Sequence, residues 1–283
     1  MQNRIPLEPV DYLAIGHVAH DLTSNGPRLG GTVAYAALTA RALGLRVGIV
    51  TAVGDETPLD ALNDIPIVSM KSPHSTTFEN IYTQHGRIQY LRAQAARIDF
   101  NTIPGPWRRA SIFHLGPIAD EMDSVLPGLF SPALVGITPQ GWMRQWDSEG
   151  RVSLRNWEHA GSLLKIAGAV VISREDVRGD DELIEHMAHQ TQMLVVTEGA
   201  EGCVLHWHSD RRRFRAPAVH EVDATGAGDI FAAAFFVRYF NTRDPWEAAR
   251  FATLIASRSV TRIGLDGIPT QSEIEECMME VLQ

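Results

Sequence analysis

The arrangement of the hydrophobic residues constrains the fold of this chain more than any other feature of the sequence. Short runs rich in Val, Ile and Leu alternate with segments of helical periodicity, which is the pattern of buried parallel strands joined by crossover helices. The predicted strands are 12–15, 46–51, 111–115, 133–137, 169–172 and 193–197, and the predicted helices between them are 32–43, 157–167 and 181–190. The sequence therefore predicts a doubly wound α/β fold with a largely parallel sheet, whose ligands bind at the carboxyl ends of the strands.

The segment 65–97 departs from this alternation. It contains STTFENIYTQHGRIQYLRAQ, in which polar and apolar residues alternate with a period of two around a candidate turn at His85-Gly86. We expect an antiparallel ribbon there, which forms a small β-lid together with a segment near 21–30; an ordinary extension of the sheet is the alternative. The last third of the chain predicts an antiparallel hairpin and two long helices, at 204–208, 212–215, 227–240 and 245–260.

Length, charge and cysteine content exclude several classes of protein. The 283 residues carry no low-complexity linker, so we expect a single domain over 1–283. The net charge of −9 argues against a nucleic-acid partner, and the basic run 211–213 is interpreted as an exposed hairpin turn. Two distant cysteines, Cys203 and Cys277, fit a reducing compartment. No segment has the features of a leader or a membrane span, so a cytoplasmic protein without a membrane partner is expected.

The segment 222–229, VDATGAGD, contains the residues best suited to chemistry, and it runs directly into an apolar helix. A helix that begins near Ala227 directs several unpaired N–H groups at one point, and small residues let a ligand approach the backbone. That point is an anion site. Asp229 lies in the first turn, where it is either a helix-stabilising carboxylate or a base; Asp223 at the other end of the loop favours cation and proton handling. Neither GxxxxGK[ST] nor GxGxxG in a dinucleotide-binding context occurs.

The same segment resembles the C-terminal signature of the ribokinase/PfkB carbohydrate kinase family, which reads approximately D-T-x-G-A-G-D before an apolar helix. Here it is DATGAGD at 223–229. Further segments match the family in the right order: IG at 15–16 with Asp21, LGG at 29–31, AYAA at 34–37, LG at 43–44, VGDE at 53–56, HLGP at 114–117 and VTEGAEG at 196–202. The resemblance implies a kinase with ATP as donor, Mg²⁺, and transfer of the γ-phosphoryl group to a hydroxyl of a small sugar or polyol.

Carried over position by position, the resemblance implies specific roles. Asp229 is the base, and the amides around Gly226, Ala227 and Gly228 form the anion hole. The residues implied at the acceptor are Asp21, Gly30 and Gly31, and those implied at the nucleotide are Thr197, Gly199, Gly202, Thr225 and Thr253.

The resemblance also implies two cation sites. Many relatives use Asn-x-x-Glu to organise the waters of Mg²⁺, and the equivalent here is SRED at 173–176, with Asp176 as the acidic candidate. Relatives bind a monovalent cation such as K⁺ through the loop aspartate and a C-terminal Arg-x-Gly. The corresponding residues are Asp223 and Thr225 with the backbone carbonyls of Arg262 and Gly264.

Three departures from ribokinases bear on the substrate. Ala19 and Tyr35 stand where ribokinases favour asparagines that grip the sugar, and TPQGWMR at 138–144 replaces Asp-x-Asn. We therefore expect a substrate other than ribose, with inositol-type polyols favoured. Arg144 is interpreted either as a phosphate or substrate contact or as an exposed arginine. The alternatives are a nucleoside kinase on the same fold and a non-catalytic relative that senses sugar and nucleotide.

Two further expectations concern surfaces and histidines. The lid ribbon favours a homodimer. His186 and His189 are interpreted as a solvated helix face, and His17 and His20 as structural residues or substrate contacts, since neither pair has a third ligand at metal spacing.

Overall fold

Fifteen strands and six α-helices form the part of the chain that the computed structural model describes, residues 7–23, 26–83, 86–124, 128, 130, 132–157 and 160–279. In chain order the strands are β1 (Tyr12–Ile15), β2 (Ala19–Thr23), β3 (Gly26–Gly30), β4 (Val47–Val53), β5 (Ile67–Lys71), β6 (Thr76–Thr83), β7 (Gly86–Ala93), β8 (Ile112–Leu115), β9 (Leu134–Ile137), β10 (Arg144–Trp146), β11 (Val152–Leu154), β12 (Ala169–Ser173), β13 (Met193–Thr197), β14 (Cys203–Trp207) and β15 (Asp210–Phe214). The helices are α1 (Thr32–Ala42), α2 (Ala160–Ile166), α3 (Asp181–Gln190), α4 (Ala227–Thr242), α5 (Pro245–Ser259) and α6 (Gln271–Met278).

The central sheet has nine strands in the order β15-β14-β13-β12-β9-β8-β1-β4-β5. Its pairs from β13 to β5 are parallel, and the hairpin of β14 and β15 adds two antiparallel strands at one edge. The predicted α/β fold with a largely parallel sheet is confirmed. The carboxyl ends of β1, β8, β9, β12 and β13 consequently lie along one edge, where the site residues gather.

The two faces of the sheet carry separate hydrophobic cores. Along β1, Tyr12 points into the core that α1, α4 and α5 cover, while Leu13 points into the core that α2 and α3 cover. Helix α4 approaches the sheet closely, since a Cβ on Gly136 would lie 2.6 Å from the ring of Phe236. This contact fixes α4 across β8 and β9 and so sets the place of its N-terminus.

A second sheet covers the strand ends and is called the lid here. Its order is β3-β2-β6-β7; the pairs β2–β3 and β6–β7 are antiparallel, and β2–β6 is parallel. One part of the expectation for 65–97 is wrong: Ile67–Lys71 is β5, which pairs with β4 at the edge of the central sheet. The reason is that its apolar residues continue the core, so that the lid begins only at Thr76.

The strands β10 and β11 form a small antiparallel ribbon that the sequence did not predict. An isolated bridge between Tyr90 and Arg151 joins this ribbon to the lid. Of the candidate turn at His85-Gly86, His85 lies outside the described residues. Within the described part of the chain, no helix is long and apolar enough to cross a membrane.

Candidate active site

The glycine turn, residues 223–229, brings the backbone of the site into place. Gly226 has φ +79° and is the N-cap of α4; a Cβ there would lie 2.3 Å from the ring of Tyr35, so both the backbone conformation and the space require glycine. Asp223 holds the turn from the other side, because its Oδ1 accepts the amide of Thr225 at 2.9 Å and its Oδ2 accepts the amide of Gly264 at 3.0 Å.

In the described part of the chain, the helix N-termini at the cleft differ from the others in having no side-chain cap. Helices α3, α5 and α6 are capped by the side chains of Asp180, Asp244 and Thr270. Helices α1 and α4 begin after Gly31 and Gly226, where the described residues supply no side-chain cap. Around Gly228, no described atom lies within 4 Å of the position that a Cβ would take. The first amides of α4 are thus arranged to bind an anion from outside the helix.

Asp229 lies in the first turn of α4 and joins the two uncapped helices, since the hydroxyl of Thr32 at the start of α1 donates to its carboxylate. Loss of hydration raises the pKa of Asp229 to about 6; the Thr32 hydrogen bond lowers it, Asp176 and Asp21 raise it, and Arg144 lowers it. A carboxylate with a pKa near neutrality, facing other charged groups, is suited to accept a proton from a hydroxyl.

Asp21, Gly30 and Gly31 come together at the hinge between β1 and the lid. A Cβ on Gly30 would lie 2.0 Å from the carboxylate of Asp21, and one on Gly31, where φ is +88°, would lie 2.6 Å from the carbonyl of His17. Both glycines therefore let the backbone at 30–31 lie close to Asp21 and to the backbone of His17. Asp21 also acts on the pKa of Asp229, so the structure brings together the residues predicted for the acceptor and the predicted base.

Tyr35 closes this end of the cleft. Its side chain is buried between α1 and the glycine turn, with its ring against Gly226 and its hydroxyl 3.8 Å from the position of a Cβ on Gly264. Burial raises the pKa of Tyr35, and the charges of Asp229, Asp21 and Asp223 raise it further. The phenol is therefore a neutral hydroxyl among three carboxylates.

On the opposite side, Thr197, Gly199 and Gly202 lie at the end of β13. Thr197 donates its hydroxyl to the carbonyl of Ile172 at 3.3 Å. Gly199 and Gly202 have φ of +56° and +91°, and a Cβ on Gly202 would lie 2.0 Å from the carbonyl of Phe214. This tight turn belongs to the same edge of the sheet as the glycine turn, and Thr225 lies exposed in the glycine turn itself.

Thr253, which was predicted to contact the nucleotide, lies beneath this surface. It is buried in α5, its hydroxyl donates to the carbonyl of Ala249 at 2.7 Å, and Cys203 Sγ lies 3.5 Å away. Because the hydroxyl satisfies its hydrogen bond within its own helix and faces β14, Thr253 is a core residue.

Asp176 faces the cleft from the loop after β12. Its Oδ1 accepts a hydrogen bond of 2.6 Å from Gln140 Nε2, and its Oδ2 accepts the amide of Ser173 at 3.3 Å. Sequence reasoning missed Gln140, because a contact across 36 residues leaves no periodic or local signal.

Three of the residues predicted for a monovalent cation lie next to one another, since the carboxylate of Asp223 accepts the amides of Thr225 and Gly264. The role predicted for Arg262 and Gly264 belongs to their backbone carbonyls and stays a prediction. The side chain of Arg262 pairs with Glu273 at 2.7 Å. Arg28 of the lid lies 3.8 Å from Asp223.

His17 is a structural residue. It is fully buried, its Nε2 lies 2.8 Å from the carbonyl of Ala96, and its Nδ1 lies 2.6 Å from Thr76 Oγ1. Its amide donates to Glu121, a buried carboxylate that also accepts the amides of Ile118 and of Ala119. Sequence reasoning missed Glu121, which ties the end of β1 to the end of β8.

His20 lies on the face of β2 opposite to Asp21, with its Nδ1 3.3 Å from the hydroxyl of Thr57. The acceptor side of the cleft is therefore formed without either histidine side chain.

Comparison with known proteins agrees with this arrangement. The model of the pfkB family carbohydrate kinases matches residues 166–271, which include the glycine turn. Over this segment the chain is similar to the pfkB family carbohydrate kinases. The match and the curated kinases described next support a phosphotransferase with an alcohol group as acceptor.

Curated proteins similar to this chain have different acceptors in their names. A cytidine kinase of Thermococcus kodakarensis is 26% identical and is aligned over 85% of this chain and 92% of its own length. A fructokinase of Escherichia coli is 28% identical over 88% and 91%. An inositol 3-kinase of Oryza sativa is 25% identical over 92% and 70%. These relatives share phosphoryl transfer to an alcohol group and differ in the acceptor.

Solved structures share the fold of this chain. A pyrophosphate-dependent kinase of the ribokinase family, in complex with sulfate, has a TM-score of 0.79 at 22% identity and covers 94% of this chain and 100% of its own. A structure of a pyrophosphate-dependent kinase with a pyrophosphate analogue and myo-inositol has a TM-score of 0.76 at 23% identity, with coverage of 94% and 100%. A ribokinase-type protein of E. coli in complex with ATP and Mg²⁺ has a TM-score of 0.67 at 17% identity, with coverage of 94% and 99%.

Proposed function

We propose that this kinase transfers the γ-phosphoryl group of ATP to a hydroxyl of a cyclic polyol of the myo-inositol type. The observation that carries the proposal is the position of Asp229, a carboxylate with a pKa raised to about 6, beside the uncapped start of α4 and beneath the lid. The acceptor hydroxyl gives its proton to Asp229 while its oxygen forms a bond to phosphorus, and the bond from phosphorus to the leaving oxygen breaks. The amides of the glycine turn bind the oxygens of the moving group.

The acceptor is inferred from Tyr35. An asparagine at this position presents an amide to a sugar, whereas the buried Tyr35 fills the space beside Gly226 with a ring and a hydroxyl. The remaining polar groups, Asp21 and the tyrosine hydroxyl, are hydrogen-bonding partners for ring hydroxyls. The myo-inositol complex of a structural neighbour and the inositol 3-kinases among the relatives support the same substrate class.

The donor is inferred from the surface beside the glycine turn. Val219 and Val222 have 42% and 52% of their surface exposed, which gives an adenine an apolar surface to cover. Pyrophosphate is the competing donor, because a pyrophosphate-dependent kinase is among the structural neighbours. The two donors differ in their need for this surface.

Mg²⁺ fits the oxygen donors at the end of β12. Asp176 is held by Gln140 and by the amide of Ser173, and Glu175 precedes it. Mg²⁺ commonly binds one or two carboxylates together with waters and phosphates. Among the described residues, no group of three or more His, Cys, Asp or Glu side chains forms a metal cluster. When bound, Mg²⁺ offsets the charge of the donor phosphates.

A matrix of donors and acceptors tests the proposal. Initial rates are measured with ATP or pyrophosphate against myo-inositol, ribose, fructose and cytidine in the presence of Mg²⁺. We expect myo-inositol with ATP to give the highest kcat/KM and ribose to be at least tenfold poorer. Ribose or cytidine as the best acceptor would contradict the polyol assignment, and faster turnover with pyrophosphate would contradict the donor assignment alone.

The Val222→Asp variant separates the two donors further. It places a charge on the proposed adenine surface, and it should raise the KM for ATP at least fivefold while leaving turnover with pyrophosphate unchanged. An unchanged KM for ATP would remove Val222 from the nucleotide site.

A further inference from the structure

The reacting centre is rich in negative charge. Asp21 and Asp176 both act on Asp229 there, and the donor phosphates add more negative charge. The chain contains only two lysines. Lys71 is exposed at the end of β5, and Lys165 is exposed on α2. Positive side-chain charge at the moving phosphoryl group must therefore come from arginine.

Arg144 is held by two different elements at this point. It begins β10, directly after the 3-10 helix Pro139–Met143. Its Nη1 donates to the carbonyl of Ile118 at 3.1 Å, and its guanidinium carbon lies 5.4 Å from the centre of the Phe78 ring on the lid. Phe78 is in register with Asp21, so it lies on the face of the lid that covers the cleft. The loop after β8 and the lid thus fix the guanidinium together.

A cavity of about 260 Å³ extends from Arg144 to the Mg²⁺ candidate. Its lining includes Gln140 and Asp176 below, Gln89 of the lid above and Arg151 at the start of the ribbon. The charge of Arg144 also lowers the pKa of Asp229, so the guanidinium is close enough to act on the base. A planar guanidinium has five N–H donors, and an anchored one still presents several of them in a fixed direction.

We propose that Arg144 donates to the transferred phosphoryl group from the side of the lid, opposite the amides of the glycine turn. The proposal rests on the phosphoryl transfer proposed above. As the bond from phosphorus to the leaving oxygen breaks and the bond to the acceptor oxygen forms, charge spreads over the equatorial oxygens. Arg144 keeps all its protons and stabilises that charge, while Asp229 takes the proton of the acceptor hydroxyl. Since Phe78 helps to hold the guanidinium, closure of the lid completes the site.

Two substitutions with a control test the role. Arg144→Met removes the charge and keeps the aliphatic stem, Arg144→Lys keeps the charge without the planar guanidinium, and Arg41→Met removes the same charge from the exposed side of α1, where Arg41 pairs with Asp64. We expect Arg144→Met to lower kcat by about 10²- to 10³-fold, which is the usual effect of losing a donor to a transition-state oxyanion. The KM for the acceptor should stay within threefold. Arg144→Lys should recover no more than about tenfold, and Arg41→Met should stay within threefold of the unmodified enzyme.

Hydrolysis of the donor in the absence of an acceptor separates the proposal from an acceptor-binding role. If Arg144 contacts the phosphoryl group, Arg144→Met should slow this hydrolysis by the same factor. The thermal midpoint measured alongside identifies a folding defect, and guanidinium chloride at millimolar concentration should partly restore the rate of Arg144→Gly, whether or not Arg144→Met folds well.

Three outcomes would overturn the proposal: a raised acceptor KM with unchanged kcat, an equal loss in Arg41→Met, or a failure of guanidinium to restore any activity. A kinase that turns over no sugar or polyol would instead contradict the proposed function. Donor hydrolysis would still report on Arg144 in that case.

Discussion

Two roles are possible for a carboxylate at the position of Asp229, and a single substitution can separate them. In the first turn of α4 it interacts favourably with the helix dipole, and in the proposed reaction it accepts the proton of the acceptor hydroxyl. Its pKa is raised to about 6, because loss of hydration and the charges of Asp176 and Asp21 outweigh the Thr32 hydrogen bond and the charge of Arg144. Ionised Asp229 is therefore less favourable in the folded chain than in water, which is typical of a functional group.

Asp229→Asn should lower kcat by about 10²- to 10⁴-fold with ATP affinity and folding retained, because asparagine keeps the size of the side chain and cannot take the hydroxyl proton. Steady-state kinetics and a thermal melt measure the two effects separately. Asp21→Asn is the matched control at the acceptor, and it should raise the acceptor KM more than the KM for ATP. If Asp229→Asn keeps more than about a tenth of kcat, another group takes the proton.

The pH profile of kcat/KM should report Asp229 directly. The base must be ionised, so activity should rise with pH and level off above a midpoint near 6, the pKa of Asp229. Thr32→Val removes the hydrogen bond that lowers this pKa, so the midpoint should move to higher pH, with a greater loss of activity at pH 6.5 than at pH 8. Thr39→Val, a buried threonine on the same helix, is the control. A midpoint that is the same in Thr32→Val and in the unmodified enzyme would mean that another group titrates.

At the scale of the elements, Gly226 of the glycine turn packs against Tyr35 of α1, in addition to the hydrogen bond between Thr32 and Asp229. Gly226→Ala puts a Cβ against the Tyr35 ring and forces alanine into φ +79°. The left-handed backbone conformation alone costs alanine about 1 to 2 kcal/mol of stability. We expect the single variant to lose stability and activity, and Gly226→Ala combined with Tyr35→Ala to recover part of the stability, since the clash is removed and the backbone cost remains. If the change in melting temperature of the double variant equals the sum of the changes in the two single variants, the contact between the Cβ of residue 226 and the Tyr35 ring does not lower the stability.

The other side of the glycine turn carries the proposed monovalent-cation site. If an ion such as K⁺ lies beside Asp223, Thr225 and Gly264, activity in K⁺ should exceed activity in tetramethylammonium at equal ionic strength. Asp223→Ala should abolish the difference, and Asp64→Ala, an exposed carboxylate paired with Arg41, should preserve it. Equal rates in both salts would indicate that no ion is needed there. Arg28, 3.8 Å from Asp223, is then the nearest positive charge in the structure.

The elements that the sequence predicted best have a strong local signal. β1, β13 and α3 begin and end at the predicted residues, because the two strands are short apolar runs buried on both faces and α3 has an aspartate N-cap and an amphipathic pattern. The ribbon of β10 and β11 was missed because three-residue strands at the surface carry no such run. β5 was assigned to the lid because an edge strand with mixed polarity has the same local pattern as a ribbon.

The residues of the site differ in the same way in how well the sequence predicts them. The glycine turn, Asp21 and the glycine pair are local motifs that a sequence displays, whereas Gln140 on Asp176 and Glu121 on His17 are contacts made only when distant strands meet. The burial of Thr253 was not predicted for a related reason, because the position of a residue along a helix does not by itself tell whether its side chain faces the core.

At the scale of the whole molecule, the lid presents its second face to solvent. Because side chains alternate along strands, Asp21 and Phe78 face the cleft while Leu22 and Ile81 face outward, with exposed fractions of 37% and 40%. Apolar residues that neighbour one another on an exposed sheet are a common basis for association of two copies. We therefore propose a homodimer formed through the lid, in which each copy covers the outer lid face of the other.

Light scattering coupled to size exclusion tests this dimer against the subunit mass of 31.2 kDa. The unmodified chain should elute at about twice that mass, and Leu22→Glu or Ile81→Glu should give the monomer, because each places a charge in the buried contact. Ile166→Glu is the matched control, since Ile166 is 48% exposed on α2, which is not part of the lid. A dimer that survives both lid substitutions forms through another surface. If the monomeric variants also show a raised acceptor KM, the contact helps to hold the lid closed over Asp21 and Arg144, and association then contributes to substrate binding as well as to assembly.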